Sequence, residues 1–462
     1  MNIQSTHGLQ PGEARCPGPS AQDIIDADGQ AVPAVLRQQS YTFLGDADIP
    51  ATRYTSQAFH DQEVRNMWAK VWQFACREEE IPEAGDYMVY DISHFSFLVV
   101  RTETGAIKAY PNSCLHRGTQ LRLSDSAGSA NQFRCPFHGW TWNLDGSLKE
   151  IPCRWDFPKV TDEAFRLPEV KVGTWGGFVF INPDPDCASF EDYLGVLPEQ
   201  MALWPLQDRA IAANVRKVIR CNWKIAQEAF MESYHVLATH PQALAYLGDA
   251  NSQYDIWGDH VSRQLNTQAV ASPHLGTNVS QQVIADAMLM DLGHAGEGNL
   301  LQVPDGMTAR QVIARGVQES LGAALGTDLT HLSISETLDT IEYFLFPNFH
   351  PWANITVPLV YRFRPNGDDP DSSIMDVLVL RPCPSNQPRP EPAPLHILRD
   401  DELFSDAPEL GGLGAVFDQD TSNLERLQIG LKASRKPGVT LGNYQEARIR
   451  HIHQTLDKYL AG

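Results

Sequence analysis

The feature that most constrains this chain is a pair of short loops that mix Cys and His. The sequence reads Cys114-Leu-His116, then 18 residues, then Cys135-Pro-Phe-His138-Gly-Trp140. Each loop delivers one thiolate and one imidazole, and the two donor types together select a transition metal. Any fold must bring both loops to one centre. A structural zinc finger usually supplies Cys-Cys and then His-His on a hairpin and a helix. Here both loops mix the types and both lie among β-rich runs. A [2Fe–2S] cluster with two Cys on one iron and two His on the other fits better, since neutral imidazoles remove charge and raise the potential. Symmetric loops would each place a Cys inward and a His outward.

A second constellation is Glu232-Ser-Tyr-His-Val-Leu-Ala-Thr-His-Pro241. His235 and His240 are five residues apart, about 500° of rotation at 3.6 residues per turn, so in a straight helix they do not share a face. They converge only if the helix unwinds before Pro241, which disfavours helix at the residue preceding it. Two readings stand on the residues alone. The pair holds a metal with a third ligand from elsewhere, or it is two ordinary His near a helix C-terminus, where the macrodipole favours them.

The chain has 462 residues, enough for two or three domains with ample core. Its net charge of −21 leaves no background for a duplex-binding stripe, so nucleic acid is not an expected partner. No apolar run reaches bilayer-spanning length, so a membrane is not expected either. The first twenty residues lack an apolar signal core, and the acidity fits a soluble intracellular protein, expected in the cytoplasm. Eight Cys at this length argue against a disulfide framework.

Along the chain, residues 1–45 read as a polar, mobile tail. Val64, Met67, Trp68, Val71 and Trp72 recur at helical spacing and predict a helix over 61–75. From Gly85 the period changes to strands: Tyr87 to Ile92, Phe95 to Arg101, Ile107 to Tyr110, and a hairpin around Asp145-Gly146. Residues 46–190 thus form a small antiparallel β domain carrying the Cys/His loops. In 191–462, Asn222 to Thr239, Gln281 to Leu292 and Thr308 to Ala324 read as helices. Ile341 to Phe346, Ile355 to Phe363 and Ile374 to Leu380 read as strands, followed by a Pro-rich connector over Pro384 to Pro394. Two C-terminal helices end the chain. The fold class is α+β.

The CxHRG and CPFHGW loops resemble the Rieske motif of the Rieske-type non-haem iron oxygenases, large (alpha) subunit, of the aromatic-ring-hydroxylating dioxygenase family. The likeness runs from Tyr54 through both loops, Trp175 to Asn182, Asn222-Trp-Lys224 and the Glu232–His240 segment to residue 431. It implies a [2Fe–2S] cluster on Cys114, His116, Cys135 and His138, in an antiparallel β Rieske domain. It further implies a helix-grip catalytic domain with an antiparallel sheet, binding mononuclear Fe(II) through two His and one carboxylate. His235 and His240 match the two His. The ligand Asp typically lies five residues before a Glu such as Glu425, which selects Asp420 over Asp418; the alternative is that both Asp cap a helix opened by Phe417-Asp-Gln-Asp420. Glu232 resembles a bridging carboxylate between His235 of its own chain and His138 of the next. Ring-hydroxylating members often have Asp there, and Glu appears in relatives that oxidise alkylammonium compounds. Ala229 stands where the family often has Asn.

The resemblance therefore implies a terminal oxygenase acting with O2 on an apolar aromatic or alicyclic substrate, or alternatively on an alkylammonium or N/O-methyl substrate. The rival from another class is a non-catalytic Rieske electron-transfer protein. Electrons would come from NAD(P)H through a separate flavin reductase, with or without a ferredoxin, since the chain has no GxGxxG unit in a strand–helix context. The assembly implied is a homotrimer or an α3β3 form. Phe230, Met231, Val236, Leu237, Phe344, Phe346 and Trp352 are candidates for an apolar pocket.

Overall fold

A computed structural model describes residues 8–276, 278–291, 301–356, 359–384 and 388–461. Residues 1–7 of the expected tail, Leu292, residues 357–358 and residues 385–387 of the connector lie outside them.

The β-rich runs after Gly85 form a four-stranded antiparallel sheet in the order Ile107–Pro111, Phe95–Arg101, Asp86–Ile92, Ala127–Ser129. Beside it, Phe133–Arg134, Thr141–Trp142 and Leu148–Glu150 make a small sheet. Cys114 and Cys135 lie in the core between these sheets with Trp140 and Trp142. A third sheet pairs Lys171–Trp175 with Phe178–Asn182, and that strand with Gln73–Arg77. It joins this half of the chain to the next through a shared core that includes Phe74, Phe180 and Phe349.

The second half is built on a five-stranded sheet in the order His350–Pro351, Leu359–Asn366, Asp369–Pro382, Arg209–Ile219, Leu395–Ile397. Its last pair is parallel and the others antiparallel. A three-stranded sheet of Gln253–Trp257, Val261–Asn266 and Thr340–Leu345 lies beside it, and the helix Ala447–Leu460 packs against the shared core. Two antiparallel-sheet domains with helices make this an α+β protein. Among the described residues, no helix is long and apolar enough to cross a membrane.

Three sequence expectations are corrected. The helix expected over 61–75 runs instead over Gln57–Glu63, continues as a wider π-type turn over Val64–Trp68, and gives way to the strand Gln73–Arg77. The apolar repeat is real, for Val64, Met67 and Trp68 are buried. That strand is buried along its whole length, and a continuous apolar run does not distinguish strand from helix. The helix expected over Asn222 to Thr239 breaks after Glu228 and resumes only at Val236–Thr239.

The polar segment before residue 45 is not a free tail from Gly8 onward. Ser20 caps a helix over Ala21–Ala27 through a reciprocal capping box with Asp23. Ile25 and Leu36 enter the main core. Charged side chains from the second half hold the segment in place. Buried Arg263 donates to the carbonyls of Val35 and Gln38, each at 2.7 Å. Arg310 grips Asp28 through Nε and Nη2 and Asp339 through Nη1 at 2.7 Å. A second buried pair, Lys224 Nζ to Glu63 Oε1 at 2.6 Å, ties the helix Gln57–Glu63 to the helix Trp223–Glu228 that leads into the His pair.

Removing one partner of a buried, hydrogen-bonded charge group leaves the others uncompensated. Arg310→Met is therefore expected to cost about 3–5 kcal/mol. The check is a lower denaturant midpoint, with early proteolysis before residue 45.

Candidate metal centres

The two Cys/His loops have the same backbone. In each, the Cys N–H donates to the carbonyl five residues on: Cys114 to Thr119 at 2.9 Å and Cys135 to Trp140 at 2.8 Å. In each, the Gly four residues on donates back to the Cys carbonyl. Those glycines, Gly118 and Gly139, hold φ of +82° and +77°, where a side chain would be strained. Both thiols point inward, with Cys114 at 3% and Cys135 at 2% exposure. Both imidazoles point toward the tip, where His116 and His138 lie 4.7 Å apart between ring centroids. Trp140 stacks on His116 at 4.9 Å.

The donor set fits a two-iron cluster. Burial raises the Cys114 thiol. At Cys135 burial is outweighed by the N–H groups of Phe137 and His138, which favour the thiolate. His116 Nδ1 is buried without a hydrogen-bond partner in the protein, a costly state for a ring nitrogen unless a ligand fills it. A second group of ligand atoms, from His235, His240 and Asp420, lies with all its members within 4.8 Å of one another.

That second group forms where the chain unwinds. After Glu228 the helix stops, a short turn of helix covers Val236–Thr239, and His240 leaves helical geometry with φ −125° and ψ 56°. The two rings meet at 5.4 Å between centroids. Asp420 Oδ1 stands 2.6 Å from His240 Nε2 and 3.5 Å from His235 Nε2. Each ring is fixed from behind. His235 Nδ1 donates to Glu232 Oε1 at 2.8 Å, and the His235 amide donates to the other Glu232 oxygen at 2.9 Å. His240 Nδ1 donates to Gln419 Oε1 at 2.8 Å. With both Nδ1 atoms engaged, both Nε2 atoms and the carboxylate are left facing one point.

The electrostatics there favour a cation. Burial opposes a charge on His235, but Glu232 and Asp420 outweigh it and hold its pKa up to about 10. Burial likewise opposes ionisation of Asp420, and the two imidazoles reverse that effect.

Asp418 is placed elsewhere: its carboxylate accepts from the amides of Phe404, at 2.7 Å, and Ser405. Both Asp lie late in the helix Leu413–Thr421, and Glu425 and Gln428 ride the next helix, Leu424–Ala433. The expectation that Phe417 to Asp420 open that next helix is therefore corrected. Gln419 has no signal in the sequence, because an amide beside an Asp belongs to no ligand pattern.

A cavity of about 420 Å³ opens beside the group, bordered by Glu232, His235, Asp420, Glu228, Ala229 and Glu446 among others. None of the seven candidate pocket residues borders it. Met231, Phe344 and Phe346 are buried in the main core, and Val236 in a smaller core with the helices Gln281–Asp291 and Ala309–Leu325. Leu237 is 41% exposed. Phe230 and Trp352 pack on Tyr361, at 5.1 and 5.9 Å between ring centroids.

Residues 206–462 match the family model for the ring-hydroxylating alpha subunit (catalytic domain), and residues 71–161 match the Rieske [2Fe-2S] domain. The chain belongs to the ring-hydroxylating alpha subunits. This alpha subunit is 33% identical over 195 residues to the carnitine monooxygenase oxygenase subunit of Escherichia coli (strain K12), which is 42% of this chain and 52% of the relative. It is 32% identical over 192 residues to the biphenyl 2,3-dioxygenase subunit alpha of Rhodococcus jostii (strain RHA1), covering 40% and 42%. The chain spans about half the length of the curated relatives it matches. Its fold resembles a quaternary ammonium Rieske monooxygenase that oxidises carnitine, with a TM-score of 0.63 at 17% identity over 90% of this chain and 96% of that one. It also resembles naphthalene 1,2-dioxygenase with indole bound, with a TM-score of 0.60 at 18% identity over 91% and 93%.

Partners behind a metal-ligating imidazole typically change metal affinity by about 10–100-fold. Gln419→Leu is expected to weaken Fe(II) or Co(II) binding at His235, His240 and Asp420 by that amount. Metal titration of the purified protein would measure it, with the visible spectrum of the cluster unchanged.

Proposed function

We propose that this alpha subunit is the terminal oxygenase of a multicomponent system. In this reading Cys114, His116, Cys135 and His138 hold the [2Fe–2S] cluster, and His235, His240 and Asp420 hold mononuclear Fe(II). The observation that carries the reading is the convergence of two oriented imidazoles and one carboxylate within 4.8 Å. When bound, the cluster supplies single electrons and the mononuclear iron supplies open positions for dioxygen beside the substrate. The protein's own task is positional. Glu232 fixes the His235 ring, Gln419 fixes His240, and the twin loops present His116 and His138 at the surface. Electrons are taken from NAD(P)H through a separate reductase, with or without a ferredoxin.

Glu232 is also proposed to join two copies of the chain. It borders an open cavity, and His138 is exposed at the tip of its loop. His138 of one copy meeting Glu232 of the next gives a ring, as a homotrimer or as an α3β3 form.

The substrate reading favoured here is an alkylammonium compound, carried by the longer acid at position 232 and supported by the carnitine and glycine betaine monooxygenase relatives. The biphenyl dioxygenase relative supports an arene as the second reading.

A screen of both substrate classes, with reductase supplied, compares product formed with NAD(P)H consumed. Coupled oxidation of an alkylammonium compound is expected, and coupled oxidation of arenes alone establishes the second reading. Iron analysis is expected to give about three Fe per chain, and about two for Asp420→Ala with the cluster spectrum intact. About two in the unaltered protein would leave only an electron-transfer role. Glu232→Gln is expected to keep both centres and slow turnover by at least about tenfold; near-normal turnover would make Glu232 a surface acid.

A further inference from the structure

The cavity beside Glu232 has an asymmetric lining. Its floor is aliphatic, with Ile225, Leu424, Leu431, Val439 and Ile449, and the 48% exposed Leu427 stands on its border. Among the described residues, four carboxylates border it, Glu228, Glu232, Asp420 and Glu446, and no Lys or Arg does. Three of the four are committed within the chain. Glu232 and Asp420 hold the imidazoles, and Glu228 accepts from Tyr54 Oη and pairs with His453 Nε2 at 2.9 Å. Glu446 is different. Its carboxylate accepts the Gly442 N–H at 2.5 Å and, among the described residues, makes no ion pair. Burial, together with Glu232 and Glu228, raises its pKa to about 7. A group in that state is stabilised by an incoming cation.

The cluster tip has the complementary character. Phe137 is 58% exposed. Arg117, next to His116, lies over the Phe137 ring at 5.3 Å from its centroid. Among the described residues, its guanidinium makes no ion pair or hydrogen bond. One face of the molecule thus presents an aromatic ring with an unpaired cation, and another an aliphatic hollow with an unpaired carboxylate. Both lie beside proposed metal ligands.

We infer that a second copy of this chain closes the cavity, with its Phe137 on the aliphatic floor and its Arg117 paired with Glu446. The inference rests on the head-to-tail reading above and adds to it a second contact, separate from Glu232 and His138. A desolvated charge pair at an interface fixes register and slows dissociation. Its role is to position the cluster tip over the His235 side of the cavity.

The test is a charge exchange in the holoprotein, read by sedimentation velocity over a concentration series. Arg117→Glu and Glu446→Arg are each expected to weaken self-association by at least about tenfold. The double variant Arg117→Glu/Glu446→Arg is expected to recover to within about threefold of the unaltered protein, a restoration that independent structural damage does not produce. If Arg117→Glu loses its cluster spectrum, the neutral pair Arg117→Gln and Glu446→Gln replaces it, and the two losses are expected not to add. Unchanged association in the single variants, no recovery in the double variant, or additive losses in the neutral pair overturns the proposed contact alone. An unaltered holoprotein that stays monomeric at every concentration overturns the head-to-tail reading as well.

Discussion

The catalytic half is organised around one buried carboxylate. Asp420 is 7% exposed at its side chain and lies against two imidazoles reached 180 and 185 residues earlier in the chain. A carboxylate in that position loses its water and must be met by positive charge. The pair of His rings provides part of it, as the lowered pKa of Asp420 and the raised pKa of His235 show. A divalent cation bound by the same three atoms would provide the rest. The other features of this half can be read from that requirement. The helix breaks after Glu228 so that both rings can face Asp420, and Glu232 and Gln419 occupy the rear nitrogens. The buried Lys224–Glu63 pair anchors the helix leading into the break.

The cluster-binding half solves a different problem with repetition. Two loops of identical hydrogen bonding place each thiol in the core and each imidazole at the tip. In the proposed assembly that tip is the exit for electrons. The exposed Phe137 and His138 then become the part of the domain that another copy would bury.

Much of this was legible in the residues because the signals were local. The Cys/His loops announce themselves by donor type. Pro241 breaks the helical relation between His235 and His240, and a short β-rich run marks Phe95 to Arg101 as a strand to the residue. What was not legible depended on distant partners. Asp420 could be selected only through a family resemblance, since nothing near it signals an imidazole 180 positions away. The segment before residue 45 looked like a free tail because the groups that hold it, Arg263 and Arg310, come more than two hundred residues later. Val71 and Trp72 extended an apolar repeat past the end of its helix, where a buried strand follows. Met231, Phe344 and Phe346 looked like pocket residues for a similar reason. Apolar spacing near a site does not distinguish lining from core, and these three went to the core.

The central claim is that electrons from the cluster of one copy serve the His235/His240/Asp420 iron of another. The most direct measurement mixes two inactive variants. Cys135→Ser removes the cluster and spares the iron site; Asp420→Ala does the reverse. Co-assembled with reductase, oxygen and a turned-over substrate, the pair is predicted to regain a substantial fraction of the unaltered turnover, while each variant alone stays inactive. A mixed assembly, confirmed to contain both chains, that remains as inactive as its parents would contradict the account.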